Sequence, residues 1–165
     1  IVLAADGTSY IPGHIVQVVS TIKKDSFSIA ASSFSEVTGL NVTLTPTSSS
    51  SKLLFQVDLS WSMSNNSILT GKLYDGSSEI TGATSSIGST VAGWFSAYSK
   101  ASTTSIAQDR INHLTHSYLH QVSDTNAHTF KIYVHSQSAT AYLNRRGSGT
   151  DFGSTSTFTV MEVAA

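Results

Sequence analysis

The stretch Lys52-Leu53-Leu54-Phe55-Gln56-Val57-Asp58-Leu59-Ser60-Trp61 sorts Leu53, Phe55, Val57, Leu59 and Trp61 to one side of an extended chain and Gln56, Asp58 and Ser60 to the other. Successive side chains of extended backbone point in opposite directions, so a period of two marks a strand with one buried face. The five apolar residues are expected to form one wall of the core. Phe130, Ile132 and Val134 repeat the pattern against Lys131, Tyr133 and His135, and Phe158 and Val160 repeat it against Thr157 and Thr159. Further strands are expected at 15–19, 27–30, 41–44, 68–74, 94–98 and 111–122.

Turn chemistry separates these strands: Pro46 with the serine run 48–51, Asp75-Gly76, the stretch 82–88, residues 123–126 and residues 146–151. Many short strands at regular spacing, with no long helical window, predict an all-β antiparallel sandwich, jelly-roll-like in its connections. Residues 101–110 fit either a loop or a short helical turn. The opening residues 1–13, punctuated by Asp6-Gly7-Thr8 and Ile11-Pro12-Gly13, are expected to be an extended connector ahead of a sandwich domain at 14–165. The chain opens on Ile1, as expected of a processed or truncated end.

Composition narrows the function. The chain has 165 residues, one ordinary domain's worth, of which 39% are hydrophobic and only 12% charged. Roughly three residues in ten are Ser or Thr, so the polar surface is rich in hydroxyls. Nine Lys and Arg against ten Asp and Glu give a net charge of −1, which supplies no field for a nucleic-acid backbone or an anionic membrane. Neither partner is expected. No apolar run has membrane-spanning length and no basic stretch leads into an apolar one, so neither membrane insertion nor a signal peptide is expected. With no Cys, there are no disulfides or thiolate metal sites, and stability must come from packing or association.

Histidine is the one unusual chemistry, with His113, His116 and His120 inside eight residues. On a helix these would share a face and suggest a metal site, but the alternation of Leu114, His116, Tyr118, His120 and Val122 with Thr115, Ser117 and Gln121 favours a strand. His116 and His120 then share a face about 13 Å apart at about 3.3 Å per residue, too far for one metal, and His113 faces the other way. Surface or subunit contacts are the expected role, and no cofactor or metal is expected. No nucleophile elbow occurs, and although a pair of carboxylates for glycoside cleavage could come from Asp58, Asp75, Glu79, Asp109, Asp124 or Asp151, the sequence places no two of them together, so no catalytic residue is assigned. Asp151-Phe152-Gly153 and the nearby glycines read as turns.

Arg145 and Arg146 form the one dense positive patch, either a clamp for a carboxylate or phosphate or, as favoured, a structural pair for Asp151 or for an acid on a neighbouring chain. Trp61 and Trp94 both read as core residues ahead of ligand platforms, with Trp94, preceded by Gly93, the more open case of the two. The candidate contact or binding residues are therefore Trp94, Arg145, Arg146, His116 and His120.

Two ends of the chain resemble a domain of bacteriophage tail-fibre and virion structural proteins. The first is carried by Gly13-His14-Ile15-Val16-Gln17-Val18-Val19, Asp25-Ser26-Phe27-Ser28, Phe34-Ser35-Glu36-Val37-Thr38-Gly39-Leu40, Val42-Thr43-Leu44-Thr45-Pro46 and Ser50-Ser51-Lys52-Leu53-Leu54. The second is carried by Leu143-Asn144-Arg145-Arg146-Gly147, Thr150-Asp151-Phe152-Gly153 and Ser156-Thr157-Phe158-Thr159-Val160-Met161-Glu162-Val163. The resemblance implies a virion component, typically a homotrimeric β-structured fibre head that contacts other virion proteins and a host-surface glycan or protein. It implies no catalytic residues. A capsid decoration, a fibre adaptor and a glycan-cleaving enzyme are the rival readings.

Overall fold

A computed structural model describes residues 2–3, 9–10, 12–30, 32–99 and 109–165. Thirteen strands run in the order β1 (Val2–Leu3), β2 (Ser9–Tyr10), β3 (Ile15–Lys23), β4 (Phe27–Ile29), β5 (Ser35–Leu44), β6 (Lys52–Met63), β7 (Ser67–Asp75), β8 (Ser78–Glu79), β9 (Phe95–Ser99), β10 (Asn112–Gln121), β11 (His128–Ser136), β12 (Ala141–Leu143) and β13 (Ser156–Val163). One short 3-10 turn, Thr81–Ala83, follows β8. Residues 1, 4–8, 11, 31 and 100–108 lie outside the described set, and with them most of the expected connector and of the ambiguous 101–110 stretch.

β1 and β2 pair with each other as a small ribbon. The remaining strands make two antiparallel sheets. In the first, β6 is flanked on one edge by β10 and on the other by β13 and β12 end to end, with β3 and β4 outside those. In the second, the order is β5, β11, β7, and then β8 and β9 along the same edge of β7. Merging the end-to-end pieces gives β3-β13-β6-β10 packed on β5-β11-β7-β9. Each sheet draws strands from both halves of the chain, which is the double Greek key of a jelly roll. The expected sandwich is the observed fold.

The core lies where the best-patterned strand placed it. Leu53, Phe55, Val57 and Leu59 are each 0% exposed, and Trp61 is buried beside them. Phe55 meets Phe130 of the opposite sheet edge-on at 4.8 Å between ring centres and stacks toward Phe158 of its own sheet at 6.3 Å. Val37, Leu40, Val42, Leu44, Leu69, Leu73, Ile132 and Val134 close the other side. Gly71 of β7 faces this interior opposite Phe95, and a Cβ there would lie 2.0 Å from the phenyl ring, so glycine is what lets Phe95 lie flat on the strand.

β5 begins six residues earlier than its pattern suggests. Gly39 has a φ of 81°, and the register against β11 slips between Lys131 and Tyr133. The bulge turns Val37 and Leu40 both inward although they are three residues apart, which breaks the alternation.

At one end of the sandwich Glu162 is wholly buried. Its carboxylate accepts from Gln17 Nε2 at 2.6 Å, from the Thr47 backbone N–H at 2.8 Å and from Thr47 Oγ1 at 2.7 Å. Burial alone would raise its pKa, but these donors, with Ser51, outweigh it and hold the carboxyl below its ordinary value. A depressed carboxylate contributes stability above the unfolded-state pKa and loses it as pH falls through the folded one. Glu162→Gln is therefore expected to cost about 2 kcal/mol at neutral pH and to weaken the acid sensitivity of melting. Melting curves of both proteins at pH 7 and pH 4 check this, and identical curves would remove Glu162 from the account.

Candidate functional site

The two outer faces of the sandwich differ in chemistry. On the β5-β11-β7-β9 sheet the outer face is charged and internally paired: Lys72 donates to Glu79 at 2.6 Å, Lys131 to Glu36 at 3.0 Å, and Tyr74 and Tyr133 pack with ring centres 4.1 Å apart. The outer face of the β3-β13-β6-β10 sheet is a different surface. Cross-strand register places Val18, Met161, Leu54 and Leu119 in one row across all four strands. Val18 and Leu119, at the two edges, are 55% and 49% exposed, and Ile15 and Ile22 lie exposed along the same edge as Val18. The next row is Ser20, Thr159, Gln56 and Ser117, and the one after it Ile22, Thr157, Asp58 and Thr115. Among the described strand residues of this face, Lys52 and Asp58, both on β6, are the Lys/Arg and Asp/Glu members, one basic and one acidic. A hydroxyl and apolar face with two opposed charges does not repel a copy of itself.

The histidines sit on a strand, as their alternation predicts. His113 pairs with Ser60, His116 with Val57 and His120 with Leu53, so His116 and His120 share the core-side face of β10 and His113 points outward. β10 is the edge of its sheet, which leaves His116 exposed with Trp94 edge-on at 5.5 Å, and His120 half-buried beside Phe55 and Tyr118. Desolvation lowers the His120 pKa; His128 adds to that and Asp75 opposes it. His128 behaves in the opposite way. Its burial is outweighed by Asp75 on Nδ1 at 2.6 Å and Asp124 on Nε2 at 3.1 Å, so its pKa is raised and both ring nitrogens donate. This imidazolium clip joins the β7–β8 turn to the loop before β11, and nothing in the sequence pattern had singled out His128.

Arg146 pairs with Asp151 at 2.5 Å and stands 3.8 Å from Asp109, and its guanidinium lies over Phe152. Arg145 stacks on Tyr142 at 3.8 Å and donates to the carbonyls of Arg146 and Gly149. Both arginines thus brace their own loop. Trp94 is buried, with its indole N–H unpartnered among the described residues.

A serine and a histidine do meet, at Ser60 and His113, with 3.1 Å between Oγ and Nδ1. The Ser60 hydroxyl donates to the Thr155 carbonyl at 3.0 Å, so its single proton is committed there and His113 must act as donor. That arrangement does not activate a nucleophile. Most of the described acids are likewise engaged with cations: Asp75 and Asp124 flank His128, Asp109 and Asp151 flank Arg146, Glu79 holds Lys72, Glu36 holds Lys131 and Asp25 holds Lys23, while Glu162 is buried among neutral donors and Asp58 stands alone on the outer face.

No family model matches the chain, and no curated protein is similar to it in sequence. Among solved structures, the chain is similar to the VP2 subviral particle of infectious bursal disease virus, at 9% identity with a TM-score of 0.43 over 90% of this chain and 37% of that one. It is also similar to a structure of the Gx strain of the same virus, at 12% identity with a TM-score of 0.42 over 90% and 36%. The chain thus spans little more than a third of the proteins it matches.

Proposed function

We propose that this chain is a non-catalytic virion component: a fibre or appendage domain that assembles as a homotrimer, packs against other virion proteins and offers its loops to a glycan or protein of the host surface. Residues 1–13 serve as its connector and 14–165 as its body. The observation that carries the reading is the apolar row Val18, Met161, Leu54 and Leu119 on the outer face of one sheet, flanked by Ile15 and Ile22. A monomer has no reason to present such a row to water on one face while the described lysines and glutamates of the other are paired with each other. Full burial of a large aliphatic side chain stabilises by about 1.5–3 kcal/mol, so covering this row with further copies supplies in association what the missing disulfides do not. The residues that resemble phage fibre domains support the same reading.

Native mass spectrometry is expected to show three chains per particle at micromolar concentration. Changing Val18 and Leu119 together to Glu is expected to release folded monomers, because both lie outside the core. A wild-type protein that is a stable monomer, or a double variant that remains fully trimeric, overturns the proposal.

A further inference from the structure

On the charged sheet, two cross-strand rows face outward beneath the loop at 84–93. His135, Thr70 and Ser96 form one row across β11, β7 and β9, and Ile68 and Tyr98 continue the next, with Gln137 donating its backbone N–H to the Ile68 carbonyl. The segment 88–91 arches over them and encloses a pocket of about 310 Å3, floored by Ile68, Thr70, Ser96, His135 and Gln137. Two hydrogen bonds pin the arch at its base, Ser85 N–H to Gly93 O at 3.0 Å and Trp94 N–H to Gly71 O at 2.7 Å. Gly93 has no room for a side chain: a Cβ would lie 2.6 Å from the Gly71 carbonyl oxygen. The wall is thus seated directly on the sheet.

The chemistry of this hollow is specific. No Lys, Arg, Asp or Glu is among the described residues that line it, although lysines and glutamates stand close by on the same sheet, already paired with each other. What lines it is hydroxyl, amide and imidazole, together with the aliphatic surfaces of Ile68 and Val91. His135 is 5% exposed, and its Nδ1 has no hydrogen-bond partner among the described residues. An unpaired buried polar atom costs about 1–3 kcal/mol, so His135 is the residue of this floor whose polar capacity is unmet. Thr70 is also buried, its hydroxyl 3.1 Å from that of Ser96. Beside the pocket Tyr98, directly across from Ile68, turns its ring to solvent at 58% exposure.

We propose that this pocket binds one neutral pyranose ring, the terminal sugar of a surface glycan; the assignment rests on the attachment reading above. Neutral donors and acceptors match sugar hydroxyls, and aliphatic and aromatic surfaces match the C–H face of the ring. With no Lys or Arg in its lining, the pocket offers no fixed cation to an acidic sugar or a phosphate, whose burial needs one. The volume is at the small end of the range of about 300–1,000 Å3 seen for ligand sites, which suits one ring and not a chain.

The test has two arms on the full chain. In saturation-transfer NMR with glucose, galactose, mannose, rhamnose, N-acetylglucosamine and glucuronic acid, at least one neutral sugar is expected to bind in the millimolar range and glucuronic acid not to bind. Thr70→Val and Gln137→Ala are each expected to weaken that binding about tenfold, with both variants still folded at the temperature of the measurement. In the second arm the same proteins are applied to immobilised bacterial polysaccharides. Binding that survives both substitutions overturns the pocket and leaves attachment standing, whereas no binding by the wild type in either arm overturns the pocket and glycan attachment together. Glucuronic acid binding that both substitutions abolish overturns the neutral-sugar assignment.

Discussion

Val57→Asp is expected to leave the chain without a folded state at ordinary temperature. Val57 is fully buried at the centre of β6, level with Phe158 on one side and with the exposed His116 of the edge strand on the other, and no Lys or Arg lies among its cross-strand partners. A carboxylate placed there loses its hydration with no partner to replace it, and even if it takes a proton it still replaces a packed isopropyl group with a polar one. Penalties of this kind exceed about 4 kcal/mol, a large part of the 5–15 kcal/mol that holds a typical domain together. The neighbour provides the control. Asp58 projects from the outer face of the same strand, so Asp58→Asn is expected to shift stability by no more than about 0.5 kcal/mol. Circular dichroism and thermal melting of the two variants decide the matter; a soluble Val57→Asp protein with wild-type melting removes this strand from the core.

The same strand shows how much of the molecule was legible. Where one face is buried and the backbone is regular, alternation names the strand, its inward set and the sandwich, as β6, β11 and β13 show. It fails where a bulge shifts the phase, as at Gly39, or where a strand is too short to show a period, as in β12. The placement of His116 and His120 on a shared face followed from alternation too. That this face belongs to an edge strand did not, because strand order depends on pairings between residues far apart in sequence. The apolar row on the outer face was invisible for the same reason: Val18, Leu54, Leu119 and Met161 become neighbours only through three separate registers. The pocket under the 84–93 loop likewise unites residues from β7, β9, β11 and that loop, none of which carries a local signal.

The segment Leu143-Asn144-Arg145-Arg146 invites attention to its arginines, yet the structure places the weight on Asn144. Its φ of 63° is left-handed, so the chain turns sharply out of β12 into the loop at 145–153, which the Arg145–Gly153 bridge closes before β13 resumes alongside β6. The pairing of β6 with β13 ends at Asp58 and that with β12 begins at Trp61. In the gap, the Ser60 carbonyl accepts from the Asn144 N–H at 2.9 Å, and the Ser60 N–H donates to Ser156 Oγ at 3.1 Å. The Asn144 side chain, itself buried, donates to the carbonyls of Lys23 and Asp25 at 2.9 and 3.0 Å and accepts from Ser156 Oγ at 2.7 Å. One amide thus bridges the break between β3 and β4 to the break between β12 and β13.

Asn144→Ala removes three hydrogen bonds at about 1 kcal/mol each and forces alanine into a backbone region that costs about 1–2 kcal/mol, so a loss of about 4 kcal/mol is expected. Asn144→Gly loses the same bonds without most of the backbone cost and is expected to be about 1 kcal/mol more stable than the alanine variant. Asn144→Asp keeps the shape but turns an acceptor toward two carbonyls, and is expected to be no better than alanine. Urea denaturation of the three variants tests the order. Equal stability of the alanine and glycine proteins would show that the left-handed turn costs nothing there, and three wild-type midpoints would show that the bridge between the two breaks does not hold the fold.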